Sequence, residues 1–303
     1  MVRGTGLAEA DETTRRQLLT RIMGGLLVLL AVFMLPSVAI AAWHGEQDLG
    51  AFVATVLLLA GGGGLLWHLG HGVVDDVGRR EGLLIVAMCW LVAVFAGALP
   101  YYLYAHHTTL GFDDSAQVAS YPTPHGVAVH GRCDLPGAGG AGSEFCAFTS
   151  SLFESASGFT TTGATVLERG LWDQTERLRP EELPHGLLFW RSMTHWLGGM
   201  GIIVLAVALL PLLGIGGMQL FRAEVPGPTA ARLVPRIGET ARQLWLVYGI
   251  LTAAQVVLLA LGGIGFYMSL THAFGTLASG GFSPLADSVG GLHSTYAEWV
   301  ILA

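Results

Sequence analysis

The sequence predicts an all-α polytopic membrane protein with short re-entrant loops between its membrane-spanning helices. Of its 303 residues, 52% are hydrophobic and only 12% are charged, and the mean hydropathy is +0.57. The charged share is about half that of an ordinary globular domain. Two loops rich in glycine and hydroxyl side chains each follow an apolar segment too short to cross a bilayer. These observations argue against a soluble globular domain.

Five apolar segments have about the 17–25 residues that a tilted transmembrane helix needs. A sixth begins near Glu298 and has only six residues before the sequence stops at Ala303. Because a helix that has barely started is an improbable natural terminus, we expect the chain to be part of a longer protein. The five predicted spans are residues 22–43, 51–69, 82–104, 187–213 and 244–270.

The spans divide the chain into five predicted parts. The first is a cytosolic N-terminus, and the second is a pair of N-terminal spans. A first span–loop–span repeat with a long external loop follows, then a cytosolic linker, and then a second repeat truncated at its last span. The corresponding ranges are 1–21, 22–81, 82–214 with the loop at 105–143, 215–243 and 244–303.

The arginines set the predicted orientation. Ten of them lie in the N-terminus, in the turn after the second span and in the linker, whereas four lie in the alternate loops. The positive-inside rule therefore places the N-terminus in the cytoplasm. The acidic residues of the outer loops would then raise the local cation concentration. The alternative is that these are only solvated loop charges.

The first of the two loops follows a predicted short helix. Residues 144–156 alternate apolar and small polar side chains at helical spacing, and Ser143 is a candidate N-cap. At 1.5 Å per residue this helix reaches about 20 Å, short of the ~30 Å hydrocarbon core. We expect it to end inside the membrane at Gly158, with the partial negative charge of its C-terminus favouring a cation there.

A second, looser copy of this design lies at residues 269–283. Aligning Gly163 with Gly281 also matches a hydroxyl residue two positions before and two positions after each glycine. Main-chain carbonyls and hydroxyls can replace the water around a dehydrated cation, and glycine allows the backbone they need. Loops of small residues can alternatively serve helix packing. The candidate ion-binding residues are Thr161, Thr162, Gly163, Thr165, Ser279, Gly280, Gly281 and Ser283.

Two charged or titratable residues near the outer end of the fourth span need an explanation. Arg191 is costly at membrane depth unless it faces a cavity or has a partner. It would either supply charge at the mouth of an ion path or form a salt bridge, for example with Glu154, that fixes the short helix. The alternative is that Arg191 snorkels to the interface. A membrane-embedded hydrolase or metalloenzyme would use His195, His68 or His71, but no nucleophile–base pair or third ligand accompanies them. We therefore favour structural roles.

The three cysteines are too few for a disulfide framework. Cys133 and Cys146 flank the end of the external loop. In an oxidising compartment they could pair, and closing this short loop would contribute roughly 3 kcal/mol in the chain-entropy model. Cys89 lies within a span, where we expect a packing role.

Four segments resemble one known family in order and spacing. They are "SGFTTTGATV" (157–166), "FWRSMTHWLGGMGIIVLAVALLPLLGIGGMQLFRAEVPGP" (189–228), "PRIGETAR" (235–242) and "SGGFS" (279–283). Together they resemble TrkH, the membrane subunits of bacterial Trk potassium uptake systems in the Trk/Ktr/HKT superfamily. The resemblance implies four span–pore-loop–span repeats of the potassium-channel-like type around one pore, of which two are present here. It also implies two extra N-terminal helices and a filter role for the eight residues named above.

The resemblance carries further expectations about function. It implies potassium uptake across the bacterial inner membrane, with the potassium ion at the filter, no organic cofactor and no enzymatic reaction. The glycine at position 163 resembles that of potassium-preferring members. The implied partners are a second copy of the chain, a cytosolic nucleotide-binding subunit of the TrkA type and membrane lipid, with no nucleic acid. The missing third and fourth repeats leave a non-conducting fragment as the alternative.

Overall fold

The computed structural model describes residues 3–70, 79–106, 121–123, 126–128, 144–167, 180–212 and 233–302. It is helical apart from one pair of three-residue antiparallel strands, which confirms the predicted fold class. The long helices are α1 (Arg3–His44), α2 (Asp48–Leu69), α3 (Arg79–Ala105), α5 (His185–Leu212) and α6 (Leu233–Leu261). The shorter elements are β1 (Tyr121–Thr123), β2 (Gly126–Ala128), α4 (Phe148–Phe159), α7 (Phe266–Leu277), α8 (Thr295–Leu302) and 3-10 turns at Glu144–Cys146, Pro180–Glu182 and Ser288–Leu292.

Four helices in the described part of the chain are long and apolar enough to cross a membrane. They correspond to the first, second, third and fifth predicted spans. The predicted fourth span coincides with the 28-residue helix α5. The four candidate spans are Arg16–His44, Asp48–Leu69, Gly82–Ala105 and Glu239–Leu261.

The prediction of one continuous span over residues 244–270 is wrong. Helix α6 ends at Leu261, and a turn follows in which Gly263 has a φ of +86°. This left-handed conformation stops a helix and strongly favours glycine. The apolar residues beyond the turn belong to α7, so the second short helix begins at Phe266, three residues before its predicted start. Helix α6 also begins at Leu233, inside the segment predicted to be a linker.

The chain forms two compact units, Met1–Ser157 with Thr165–Arg191 and Gly158–Ala164 with Ser192–Ala303. In the first unit, α1 and α2 pack closely through glycines. A Cβ atom added to Gly63 would lie 2.8 Å from the carbonyl oxygen of Gly24 and 2.8 Å from the Cβ of Leu27. Small residues allow helix backbones to approach in this way within a bilayer. Of the run at residues 61–64, only Gly63 makes such a contact.

The turn between α1 and α2 caps the N-terminus of α5, also within the first unit. The carboxylate of Glu46 accepts hydrogen bonds from the backbone N–H and the Nδ1 of His185, each at 2.7 Å. Oδ2 of Asp48 accepts the backbone N–H of Leu187 at 3.0 Å. Negative groups at a helix N-terminus satisfy free N–H groups and complement the helix dipole. These contacts fix the start of the helix that carries Arg191.

Two hydrogen bonds hold α4 and α5 against α3 in the same unit. The hydroxyl of Ser155 donates to the carbonyl oxygen of Val94 at 2.7 Å. The indole N–H of Trp190 donates to the carbonyl oxygen of Gly97 at 3.1 Å. Each donor is buried, so these bonds satisfy polar groups that would otherwise be costly. The short helix α4 therefore has a fixed position against α3.

In the second unit, Trp196 joins α5, α6 and α7. Its ring lies 5.6 Å from that of Tyr248 and 5.3 Å from that of Phe274, measured between centroids. Its indole N–H donates to the hydroxyl of Thr252 at 3.0 Å. The aromatic cluster supports the helix that leads into the second loop.

Cys146 forms a disulfide bond, whereas Cys89 is free. The partner expected from the sequence, Cys133, lies outside the described residues.

The close approach of α1 and α2 gives a stability prediction. We expect Gly63→Val to destabilise the protein by about 1–3 kcal/mol, because the added atoms overlap the backbone and side chain of α1. Gly62→Val is the matched control, since a Cβ at that position meets no atom within 4 Å. Thermal denaturation in detergent measures both. Equal midpoints for the two variants would contradict the proposed packing.

Candidate functional site

The two short helices that precede the glycine loops are equivalent in length and spacing. Both α4 and α7 have 12 residues. Helix α7 begins and ends 118 positions after α4, and the same offset relates Gly281 to Gly163. The predicted stop at Gly158 is wrong, because α4 continues to Phe159. A Cβ at Gly158 would collide with the hydroxyl of Thr194. This glycine is therefore explained by close packing of α4 against α5.

Both loops follow the same main-chain path. The φ angles are +53° at Thr161 and +52° at Ser279, then +77° at Gly163 and +86° at Gly281. Positive φ is uncommon for threonine and serine. In each loop the first of these residues donates its N–H to the carbonyl three positions earlier, at 3.0 and 2.8 Å. The alignment made from sequence thus pairs residues of equal conformation.

The loops also end alike. The hydroxyl of Thr165 accepts the N–H of Leu167 at 3.1 Å, and that of Ser283 accepts the N–H of Leu285 at 3.0 Å. Hydroxyl side chains stabilise turns by this type of bond. Both hydroxyls therefore fix the chain at the ends of the loops.

Within the second unit, the two loops touch through their backbones. A Cβ at Gly163 would collide with the carbonyl oxygen of Gly280 and would lie 3.4 Å from the Cα of Gly281. A Cβ at Gly281, by contrast, meets no atom within 4 Å. Position 163 thus requires glycine for both its φ and the close approach. Position 281 requires it only for φ.

The candidate residues of the two loops differ in their exposure to solvent. Thr162, Ser279 and Gly281 are exposed, whereas Thr161 and Gly163 are half-buried. The hydroxyls of Thr160 and Thr162 lie 2.8 Å apart and are hydrogen-bonded.

The second loop rests on His195, a contact that sequence reasoning did not predict. The backbone N–H of Phe282 donates to Nδ1 of His195 at 3.4 Å, and the two rings stack with centroids 4.0 Å apart. A Cβ at Gly280 would collide with the imidazole. His195 is fully buried, so its ring and the missing side chain at position 280 fit together. A histidine inside an apolar span was the only sequence signal.

The predicted salt bridge between Arg191 and Glu154 is present in the first unit. Nε of Arg191 donates to Oε1 of Glu154 at 2.7 Å, and the two side chains are 2% and 0% exposed. The hydroxyl of Thr165 donates to the same carboxylate at 2.8 Å, and the N–H of Val166 donates to it at 3.0 Å. Arg191 is therefore paired inside the protein and does not snorkel.

The metalloenzyme alternative would need at least three ligands placed to share one metal ion. In the ranges that the structure describes, no three His, Cys, Asp or Glu side chains are placed to share a metal ion. His68 is exposed, and His71 lies outside these ranges.

Comparison with known proteins identifies the family. The family model TrkH, described as a cation transport protein, matches residues 82–303. The chain belongs to this family. It is accordingly a membrane protein of a cation-transport family, not of an enzyme family.

Several relatives match nearly the whole chain. It is 37% identical over 284 residues to the Trk system potassium uptake protein TrkH of Escherichia coli, which covers 93% of this chain and 49% of that protein. It is 30% identical to TrkG of the same organism, covering 95% and 50%. The crystal structure of the potassium transporter TrkH from Vibrio parahaemolyticus matches with a TM-score of 0.68 and 32% identity, covering 94% and 48%. The chain spans about half the length of these relatives.

The support of the second loop by His195 gives a testable prediction. We expect His195→Ala to increase deuterium exchange of the peptide covering residues 278–285, because the Phe282 N–H loses its acceptor at a cost of about 1–3 kcal/mol. His68→Ala removes an exposed histidine and should leave this exchange unchanged. If both variants exchange like the unmutated protein, His195 does not hold the loop.

Proposed function

We propose that this chain forms part of a potassium uptake transporter of the bacterial cytoplasmic membrane. Dehydrated potassium ions would pass the main-chain carbonyls of the two glycine loops. The observation that carries the proposal is the direct packing of two conformationally equivalent loops at Gly163 and Gly280. Membership of a cation-transport family and relatives named as potassium uptake proteins support the choice of ion.

The backbone of each loop suits this role. In an extended strand successive carbonyls point in opposite directions, whereas residues with positive φ turn them out of that alternation. Each loop has two such residues, Thr161 with Gly163 and Ser279 with Gly281. Carbonyls gathered on one side can replace an ion's hydration shell. Because these groups carry no full charge, they do not trap the ion.

The candidate residues have distinct proposed roles. The main chains of Thr161, Thr162 and Gly163 form the first set of ligands, and those of Ser279, Gly280 and Gly281 form the second. Thr165 and Ser283 fix the ends of the loops through their hydroxyls. Since the chain spans about half the length of its relatives, we propose that the other half of the whole protein completes the ring. A non-conducting fragment is the alternative for these 303 residues alone.

The proposed setting follows from the charge distribution and the relatives. The N-terminus lies in the cytoplasm, because the arginine-rich segments belong on that side. The relatives are named as members of a Trk system, which supports a multicomponent assembly. We propose a homodimer in lipid with a cytosolic nucleotide-binding subunit of the TrkA type. Neither nucleic acid nor an organic cofactor has a role in this proposal.

The contact at position 163 gives a selectivity prediction. We expect Gly163→Ser to lower the potassium-to-sodium uptake ratio about tenfold, a change of ~1.4 kcal/mol in discrimination. The reason is that the new Cβ displaces the Gly280 carbonyl. The measurement is uptake of both ions into liposomes containing the full-length protein that includes this chain.

Gly249→Ser is the matched control, since a Cβ there meets no atom within 4 Å. An unchanged ratio in Gly163→Ser would remove position 163 from the filter. Absence of selective potassium uptake by the unmutated full-length protein would overturn the proposed function itself.

A further inference from the structure

The carboxylate of Glu154 is fully buried behind the first loop. Glu154 lies on α4, five residues before the end of this helix, and its side chain is 0% exposed. An ionised carboxylate in such surroundings is costly unless it is paired and hydrogen-bonded. The hydrogen bonds of this carboxylate therefore indicate the role of Glu154.

Helix α5 and the end of the first loop both supply donors to this carboxylate. Nε of Arg191 binds Oε1 at 2.7 Å. The hydroxyl of Thr165 binds Oε1 at 2.8 Å and Oε2 at 3.0 Å. The backbone N–H of Val166 binds Oε2 at 3.0 Å. An ionised carboxylate only accepts hydrogen bonds, and each of these contacts presents it with a donor.

This arrangement links the loop to the protein interior close to the proposed ligands. Thr165 is only two residues after Gly163, a chain length of at most about 7 Å. Thr165 is thus joined to Gly163 through Ala164 alone, at the end of the loop that contains the proposed ligands. Residues that form a binding site must be held in place by hydrogen bonds from the residues around them.

The second loop lacks this carboxylate. The residue of α7 equivalent to Glu154 is His272, which is 3% exposed. Its Nε2 has no hydrogen-bond partner among the described residues. The buried ion pair is thus specific to the first loop and is not a general requirement of the repeated helix–loop structure.

We propose that Glu154 is a specificity-determining positioning residue, whose carboxylate holds the end of the first loop through Thr165 and Val166. Arg191 donates to the same carboxylate beside the two loop donors, so that the three contacts meet on one side chain. The inference rests on the proposed function, because ion discrimination is the property that the loop position would control. Glu154 itself does not touch the ion.

Substitution at Thr165 tests the link with the least disturbance of the fold. Thr165→Val keeps the shape of the side chain and removes both the donor to Glu154 and the acceptor of the Leu167 N–H, whereas Thr165→Ser keeps both. The experiment measures the potassium-to-sodium uptake ratio of the full-length protein in liposomes, per folded molecule. We expect a fall of roughly tenfold for Thr165→Val and a ratio close to the unmutated one for Thr165→Ser.

The ion pair is tested by Glu154→Gln combined with Arg191→Gln, which leaves no unpaired buried charge. We expect the same fall in the ratio. The matched control is Glu239→Gln with Arg242→Gln, an exposed pair whose charged atoms are 3.8 Å apart and whose side chains are 54% and 81% exposed. This control should keep the ratio, because exposed pairs contribute little.

A purely structural role would lower the amount of folded protein while each folded molecule kept its ratio, and this result would overturn the proposal. If the Glu154→Gln double variant does not fold, the contrast between Thr165→Val and Thr165→Ser decides. If the unmutated full-length protein shows no preference for potassium over sodium, the proposed function itself is refuted. An altered ratio in Gly163→Ser together with an unchanged ratio in Thr165→Val would refute only the role of Glu154.

Discussion

The constraint on which the site depends is the main-chain approach of two loops that leaves no room for a side chain at position 163. The carbonyl oxygen of Gly280 occupies the place that a Cβ of Gly163 would need. Gly280 is itself confined by the ring of His195. A residue that is small and tolerates positive φ is required at this contact, and glycine meets both conditions. The glycines that dominate the two loops thus follow from the geometry of their packing.

The two loops have the same main-chain conformation but are held in place by different contacts. The first is tied to a buried ion pair between Glu154 and Arg191, and the second rests on the imidazole of His195. Arg191 and His195 are four residues apart on one helix, whose start is fixed by carboxylates of the α1–α2 turn. An internal repeat can thus keep its conformation while its supporting contacts diverge.

The sequence predicted the helices and the equivalence of the two loops, because these depend on the pattern of neighbouring residues. Hydropathy located the long helices, and the helical spacing of apolar residues over 144–156 indicated the short helix α4, which runs from Phe148 to Phe159. The equivalence of Thr161 with Ser279 followed from aligning the glycines. Hydropathy did not reveal the turn at Gly263, because apolar residues continue on both sides of it. The contact between Phe282 and His195 joins residues 87 positions apart, and the bond from Leu187 to Asp48 joins residues 139 apart. Such contacts arise only when the helices pack.

We propose that the paired loops present main-chain oxygens to a cation. Anomalous diffraction from crystals of the full-length protein soaked in rubidium, a heavier substitute for potassium, tests it most directly. We expect an anomalous peak within coordination distance of the main-chain oxygens of Gly163 or Thr162 and of Gly280 or Gly281. A rubidium peak elsewhere on the transport path, with none between these loops, would contradict it.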